Sequence, residues 1–346
     1  MIQHITKEAV KGGRLFPANS FIIATTATIG EHALVIADSL ANQRFTNLTI
    51  RKSLVEQILV KYLFYYLFVV GEWCKNNTNI SGFASVDMSK FKKLEIPIPP
   101  LEVQNEIVRI LDTFTSHAAE LQAELQARKE QYEYYRNKLL TFDENDERVK
   151  WMKLGEIGTF VRGNGLQKKD FTETGVGCIH YGQIYTYYGT STDTTKSFVS
   201  YDLAQKLTKV KSGNLVIACT SENIEDVCKA VVWLGEEDIV TGGHACVFSH
   251  NEIPKYIAYF FQTEYFFQQK KKYARGAKVI DIKVSDLEKI SIPVPPLSEQ
   301  QHIVSILDKF ESLVNDLTTG LPAEIAAVQE QYEYYRNKLL TFERKS

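Results

Sequence analysis

A segment of twelve residues occurs twice in this chain, and this repetition strongly restricts the fold. The sequence Gln-Tyr-Glu-Tyr-Tyr-Arg-Asn-Lys-Leu-Leu-Thr-Phe stands at residues 131–142 and again at 331–342. Upstream of each copy the match continues with Ile96-Pro-Ile-Pro-Pro-Leu101 and Ile292-Pro-Val-Pro-Pro-Leu297, then with Ile-Leu-Asp at 110–112 and 306–308. A period of about 200 residues is far longer than a solenoid repeat, so the chain is predicted to hold two copies of a domain followed by a helix.

Each copy predicts a long helix that begins just after its proline-rich segment, near Glu102 and Glu299. Acidic residues favour a helix N-terminus, and the apolar residues then recur at alternating spacings of four and three, as in a coiled coil. The helix-pairing positions are Ile107, Leu111, Phe114, Leu121, Leu125, Tyr132, Tyr135 and Leu139, and then Ile303, Leu307, Phe310, Leu317, Ile325, Val328, Tyr332, Tyr335 and Leu339. Ordinary core packing is the alternative interpretation, but the repetition favours pairing of the two helices with each other, in an antiparallel arrangement.

The second helix is predicted to be broken near residues 318–322. Its apolar pattern contains one extra step of four residues between Leu317 and Leu321, and Gly320-Leu321-Pro322 lies on that step. Because an interior proline costs a helix about 3 kcal/mol, a break is favoured over a coiled-coil stutter. The distal helical region therefore comprises residues 297–346, whereas the central helix comprises residues 101–142.

Residues 143–150 form a polar linker, and residues 151–296 are predicted to form one mixed α/β domain. Apolar runs predict strands at 215–219 and 230–234, and a helix is predicted over 253–269. The same order occurs earlier in the chain, because 21–26 resembles 215–220 and the aromatic helix over 59–68 corresponds to 256–267.

The first domain, residues 1–100, is expected to be partial. No residues before Met1 correspond to 151–203, so the domain would lack its opening strands. Such a domain is expected to leave strand edges unpaired and apolar surface uncovered, including the neighbourhood of Phe21-Ile-Ile23. A truncated product with one working domain is favoured over a domain that another chain completes.

The composition excludes several classes of protein. The net charge is only -2, so any contact with nucleic acid requires local positive charge. Five cysteines without a Cys-x-x-Cys pair suit a reducing cytoplasm, and Cys178 with His180, or His244 with Cys246, is interpreted as buried packing and not as a metal site. The most apolar stretch, 58–70, is too short to span a membrane. Neither a phosphate-binding loop nor an Asn-Pro-Pro-aromatic motif is found, which predicts no catalysis by the chain itself.

These motifs resemble a known family. Pro-x-Pro-Pro-Leu followed by Gln104 or Gln300, a long helix with Ile-Leu-Asp, and the repeated Gln-Tyr-Glu-Tyr-Tyr-Arg-Asn-Lys-Leu-Leu are similar to the specificity subunit of type I restriction-modification systems. Lys153-Leu-Gly-Glu-Ile-Gly158 with Arg162-Gly-Asn-Gly165 resembles the start of that family's target recognition domain. The resemblance implies an α+β fold, with tandem mixed α/β target recognition domains that are each followed by a coiled-coil helix.

The same resemblance implies a function without chemistry of its own. Each domain would recognise half of a split site in double-stranded DNA, and the paired helices would bind the modification subunits. Those partners would methylate adenine with S-adenosylmethionine, and a restriction subunit would use ATP and Mg to translocate and cleave DNA. A truncated or silent specificity cassette, a coiled-coil scaffold without DNA recognition, and an enzyme that acts alone are the alternatives.

Two local clusters are candidates for contact with DNA. The segment 270–278 carries Lys270, Lys271, Lys272, Arg275 and Lys278 with no acid between Glu264 and Asp281, which suits phosphates, although a solvated helix end is the alternative. The second cluster follows the first strand of the domain and holds side chains able to contact bases or phosphates: Arg162, Asn164, Gln167, Lys168 and Lys169. Gln183, Tyr185, Ser221 and Asn223 are further candidates, with turn formation or packing as their alternative role.

Overall fold

The computed structural model describes residues 6, 10, 13, 15–79, 83–143, 145–316 and 318–343. The predicted α+β fold is confirmed. The chain divides into two compact units, of which the first comprises 1–123 with 324–346 and the second comprises 124–323. Among the described helices, none combines the length and the apolar character that crossing a membrane would require.

The first unit is built on a small antiparallel sheet and on a helix that packs against it. Its elements are β1 (Ser20–Ala24), β2 (His32–Val35), β3 (Phe45–Leu48), a 3-10 turn (Lys52–Leu54), α1 (Val60–Asn76), the paired strands β4 (Thr78–Asn79) and β5 (Ser85–Val86), α2 (Met88–Phe91) and the first part of α3 (Leu101–Leu139). The strand order in the sheet is β2-β1-β3. Aromatic and aliphatic residues on α1 recur at helical spacing, so one face of α1 covers the sheet.

The expected exposure of apolar surface near Phe21 is wrong. Phe21 and Ile23 are both 0% exposed. They lie in a core with Leu67, Val70 and Cys74 of α1, which covers this part of the sheet.

The second unit contains most of the strands among the described residues. Its elements are β6 (Lys150–Lys153), α4 (Leu154–Ile157), β7 (Gly158–Arg162), a 3-10 turn (Lys168–Asp170), β8 (Val176–Ile179), α5 (Tyr181–Thr186), β9 (Ser191–Thr192), β10 (Ser197–Val199), α6 (Tyr201–Ala204), β11 (Thr208–Val210), β12 (Leu215–Ala218), β13 (Thr220–Ser221), β14 (Ala230–Trp233), β15 (Ile239–Thr241), β16 (Ala245–His250), α7 (Pro254–Phe260), α8 (Glu264–Tyr273), β17 (Ile280–Asp281), α9 (Val284–Leu287), β18 (Ser291–Val294) and α10 (Leu297–Asn315).

Two sheets form the centre of this unit, with strand orders β7-β16-β12-β14-β9 and β10-β8-β15-β11. The strands predicted at 215–219 and 230–234 are confirmed as β12 and β14, which pair antiparallel with Leu215 opposite Val232. Their side chains are almost entirely buried, as expected for a strand covered on both faces. Two short pairs, β18 with β6 and β13 with β17, complete the described sheets.

The single helix predicted over 253–269 is instead two helices, α7 and α8. The chain leaves the helical path after Phe260, and the hydroxyl of Thr263 accepts a hydrogen bond from the backbone N–H of Phe266. A threonine with extended backbone is a common N-cap, so it begins a new helix inside an apolar run.

Helix α3 runs without interruption, whereas the second repeated helix consists of α10 and α11 (Leu321–Leu339), with Pro322 in the first turn of α11. In the first unit the Phe114 ring stacks on Tyr335 at 5.4 Å. In the second unit the Phe310 ring stacks on Tyr135 at 5.5 Å and on Tyr132 at 6.4 Å. The beginning of α3 therefore packs against the end of α11, and the end of α3 packs against α10. The two repeated helices are thus antiparallel. The other predicted pairing residues are buried or half-buried, and Leu317 lies outside the described residues.

In the first unit, side-chain hydrogen bonds fix α3 to the domain that precedes it. The Gln104 side chain is 0% exposed. Its Nε2 donates to the carbonyls of Pro99 and Gln57 at 2.7 and 2.8 Å. About two turns further on, Asp112 accepts hydrogen bonds from the Tyr65 hydroxyl at 2.7 Å and from Lys61 Nζ at 2.6 Å.

The second unit repeats this joint at the start of α10. Gln300 is also 0% exposed, and its Nε2 donates to the Pro295 carbonyl at 2.9 Å. Asp308 accepts from the Tyr259 hydroxyl at 2.6 Å and from Lys255 Nζ at 3.0 Å. The duplication in sequence is therefore a duplication of the contacts that hold each helix to its domain.

Candidate nucleic-acid interface

Three segments that are distant in the sequence meet at one surface of the second unit: the loop 163–169 after β7, the turn 242–244 before β16, and the residues 219–226 after β12. Arg162 connects parts of this surface through the hydrogen bonds of its side chain. Its guanidinium donates to the Gly243 carbonyl at 2.9 Å, to the Ile282 carbonyl at 3.3 Å, and to the Asp281 carboxylate at 3.1 Å. The guanidinium is thus occupied by the protein, and Arg162 positions the loops in this structure. Direct contact of Arg162 with a base stays a prediction.

The loop 163–169 is anchored at its beginning and exposed at its end. Gly163 donates its N–H to the Ala245 carbonyl at 2.9 Å, and a Cβ at this position would lie only 2.1 Å from the Gly242 carbonyl oxygen. The Asn164 side chain donates to the Lys206 carbonyl and accepts from the backbone N–H of Thr208. Beyond these anchors, the side chains of Gln167, Lys168 and Lys169 are exposed.

Gln183 and Tyr185 stabilise this surface through hydrogen bonds to other residues of the second unit. The Gln183 amide accepts from the His180 N–H and donates to the Ser197 hydroxyl. The Tyr185 hydroxyl donates to the Thr220 carbonyl. Burial raises the pKa of Tyr185 far above its ordinary value of 10, so the hydroxyl stays a donor. Both side chains are half-buried and already paired, which agrees with their alternative role in packing and turn formation.

Within the basic segment 270–278, Lys270 differs from the other cations. Its side chain is buried, and Nζ donates to the carbonyls of Val227 at 2.6 Å and Glu225 at 3.0 Å. Burial lowers the pKa of Lys270. The expectation that Lys270 contacts phosphate is therefore wrong for this conformation, because its ammonium group holds the neighbouring loop.

The other four cations of the basic segment are exposed, namely Lys271, Lys272, Arg275 and Lys278. Of these, only Arg275 has an ion pair among the described residues, a loose one of 3.9 Å to Asp286. The segment then leads through Val279 into β17, which pairs with β13. Its positive charge therefore lies beside the strand that carries Ser221.

Two clefts open on this surface. The first cleft has a volume of 410 Å³ and is lined by Gly165, Leu166, Gln167, Lys168, His180, Tyr181, Gly243 and His244. The second cleft has a volume of 280 Å³ and is lined by Tyr181, Tyr185, Thr220, Ser221, Glu222, Asn223, Asp226, His244 and Val279. Gln167 and Lys168 of the second predicted cluster thus line the first cleft, and the further candidates Tyr185, Ser221 and Asn223 line the second. Ser221 itself is buried, and the Asn223 side chain is bonded to Asp226.

Tyr181 and His244 separate the two clefts, and sequence reasoning missed both. The Tyr181 ring lies 4.7 Å from the His244 ring and 4.5 Å from the His180 ring. His180 is buried, and burial together with the charges of Lys168 and His244 lowers its pKa. His244, by contrast, is exposed, so the expectation that it is an ordinary buried residue is wrong. The Gly242-Gly243-His244 turn between two apolar strands was the signal available in the sequence.

No cysteine is among the residues that line these clefts. All five are buried free thiols, and burial raises the pKa of Cys178 to about 12. Among the described residues, no group of three or more potential ligands is arranged to hold a metal ion.

Comparison with known proteins gives consistent matches. A family model for the type I restriction modification DNA specificity domain matches residues 4–131 and 146–327. The type I restriction enzyme EcoprrI specificity subunit of Escherichia coli is 37% identical over 331 residues, which cover 92% of this chain and 77% of that protein. The EcoR124I/EcoR124II specificity subunit of Escherichia coli is 34% identical over 82% of this chain and 71% of that protein. A solved chain from a type I R-M system has the same fold, with a TM-score of 0.66 and 17% identity over 94% of this chain and 83% of that chain.

Proposed function

Because this chain belongs to the family of type I restriction-modification specificity subunits, we propose that its second unit recognises a DNA sequence on behalf of catalytic partners. The observation that carries the proposal is a concentration of exposed cations, Lys271, Lys272, Arg275 and Lys278, in a chain with a net charge of -2. These cations adjoin clefts lined by polar and aromatic groups. Phosphate contacts would position the duplex, and groups in the clefts would reach the base edges.

The partners in this proposal are modification subunits bound to the paired helices and a restriction subunit. They supply adenine methylation with S-adenosylmethionine and ATP-dependent, Mg-dependent cleavage, and the chain contributes no catalytic group. We place the complex in the cytoplasm, where its five buried thiols remain reduced.

Exposed residues that are identical in the two helices support two equivalent contacts with such a partner. Tyr134 and Tyr334 are 59% and 58% exposed. Lys138 and Lys338 lie over their rings at 5.6 and 5.7 Å. Packing inside the chain does not require identity at exposed positions, whereas binding of the same subunit at two places does.

The test is the salt dependence of DNA binding by the chain assembled with its modification subunits. Replacing Lys271, Lys272 and Arg275 with alanine should weaken binding to all sequences alike. It should also reduce the slope of log K against log salt by about 0.9 for each phosphate that the variant no longer neutralises, or about 3 in total. The matched control exchanges the charges without removing them, by Lys271→Arg, Lys272→Arg and Arg275→Lys, and should keep the slope. An unchanged slope in the alanine variant, or no DNA binding by the unaltered complex, would leave a scaffold as the better description.

A further inference from the structure

Tyr181 and His244 form what we call the aromatic ridge, and its two sides differ in charge. Among the residues lining the first cleft, Lys168 is the one lysine or arginine, and no carboxylate is present. The second cleft is lined by the carboxylates of Glu222 and Asp226 and by no lysine or arginine. A single phosphate backbone would not be attracted equally to both clefts, so the two sides of the aromatic ridge suit different parts of a duplex.

Contacts within the protein hold the aromatic ridge in place and leave a hydrogen-bonding atom available for a ligand. His244 Nδ1 lies 2.9 Å from the Thr220 hydroxyl, which fixes the imidazole ring and leaves Nε2 as its second hydrogen-bonding atom. Tyr181 is half-buried and packs against the core that contains Ile179 and Ala218. A fixed ring loses little conformational entropy on binding, which favours specific contact.

Glu222 is the carboxylate of the second cleft that is available for a ligand. Its side chain is exposed and has no ion pair or hydrogen bond among the described residues, whereas Asp226 already binds Lys229 and Asn223. Beside a duplex a free carboxylate repels phosphates, so it is compatible with close approach only where it meets a donor. The donors that a duplex presents in its major groove are the N4 amino group of cytosine and the N6 amino group of adenine.

We propose that the aromatic ridge and Glu222 determine the base specificity of the second unit. The Glu222 carboxylate accepts from a base amino group in the second cleft, and His244 Nε2 bonds a neighbouring base edge. Lys168 and the exposed cations of the basic segment hold the phosphates on either side. This inference rests on the proposed function, because it assigns residues to the recognition of DNA.

The experiment is selection of bound duplexes from a pool of random double-stranded DNA by the full chain assembled with its modification subunits. Glu222→Gln keeps the shape of the side chain and removes its charge, and His244→Ala removes the imidazole. Glu173→Gln is the matched control, because Glu173 is an exposed glutamate of the same unit outside both clefts. Affinity for an unselected duplex is measured in parallel for every variant.

We expect the unaltered chain and Glu173→Gln to enrich the same split sequence. Glu222→Gln and His244→Ala should each lose preference at one or two positions within one half of it, with a fall of about 5- to 150-fold in discrimination at each position. Their affinity for the unselected duplex should be unchanged, or higher for Glu222→Gln, which also shows that the variants are folded. An unchanged enriched sequence in both variants would overturn this inference and leave the proposed function intact. Failure of the unaltered chain to enrich any sequence would overturn the proposed function, and this inference with it.

Discussion

His250, at the end of β16, provides a measurable pH dependence of stability in the second unit. Its Nδ1 accepts a hydrogen bond from the backbone N–H of Glu252 at 3.2 Å, and its ring lies 5.0 Å from that of Phe248. Its Nε2 is buried without a partner among the described residues. Protonation would place a positive charge there without compensation, so burial lowers the pKa of His250 from 6.5 to about 4.

The sign of the effect follows from the two pKa values. The unfolded chain takes up a proton near pH 6.5, whereas the folded protein takes it up only near pH 4. The stability due to neutral His250 is therefore fully present above pH 6.5 and is lost as the pH falls toward 4. The shift corresponds to about 3 kcal/mol in the limit, of which about 2 kcal/mol is lost by pH 5.

His250→Asn provides the comparison, because an asparagine oxygen can accept the same N–H two residues on and does not titrate. Hydrogen exchange of the β7 and β16 amides is measured for both proteins at pH 7.5 and pH 5. The intrinsic exchange rate changes equally in the two proteins and cancels in their ratio. The protection of the unaltered protein relative to His250→Asn should fall about 30-fold between the two pH values. A ratio that does not change with pH would refute the argument that His250 is buried in its neutral form.

Two further predictions concern the helix joints and the loop 163–169. The Tyr259 hydroxyl donates its one proton to the Asp308 carboxylate at 2.6 Å, so Tyr259→Phe, which leaves that carboxylate without this donor, should lower the free energy of unfolding in urea by about 1.5 to 3 kcal/mol. Tyr65→Phe removes the equivalent bond to Asp112 and should cost about the same. An unchanged free energy of unfolding in both variants would contradict this. Gly163→Ala places a Cβ 2.1 Å from a carbonyl oxygen and should lower both the melting temperature and DNA affinity. Gly165→Asn should be tolerated, because the φ of +65° at Gly165 is one that asparagine adopts, and equal melting of both variants with the unaltered chain would count against a tightly packed loop.

The elements that could be predicted are those with a local signal. The spacing of Ile107, Leu111 and Phe114 predicts a paired helix because the pattern repeats along one face, and Pro322 marks an interruption because proline is unfavourable inside a helix. The sequence does not predict the break at Thr263, because apolar residues continue on both sides of it and periodicity alone does not separate one helix from two.

The candidate interface was predicted only in part, because its assembly depends on long-range contacts. Arg162 binds mainly backbone carbonyls, of Gly243 and Ile282, and backbone groups carry no residue-specific signal in the sequence. The sequence does not distinguish Lys270 from its exposed neighbours, because its burial follows from the path of residues 225–227 and not from its own surroundings in the sequence. His244 approaches Tyr181 only after the strands that separate them have paired.

The first unit combines residues 1–123 with residues 324–346, so its core cannot be completed until the second of these segments has been synthesised. Tyr332 and Leu340 belong to the same buried cluster as Tyr62, Tyr65 and Leu111. On the ribosome, Leu340 is added 229 residues after Leu111, and at about 5 to 20 residues per second this delay is roughly 10 to 45 s. During that interval the part of this cluster that Tyr332 and Leu340 cover in the native protein lacks its cover, and a chaperone or another newly made copy could bind there. Translation speed over the second half of the message should therefore influence how much of the protein reaches its native form.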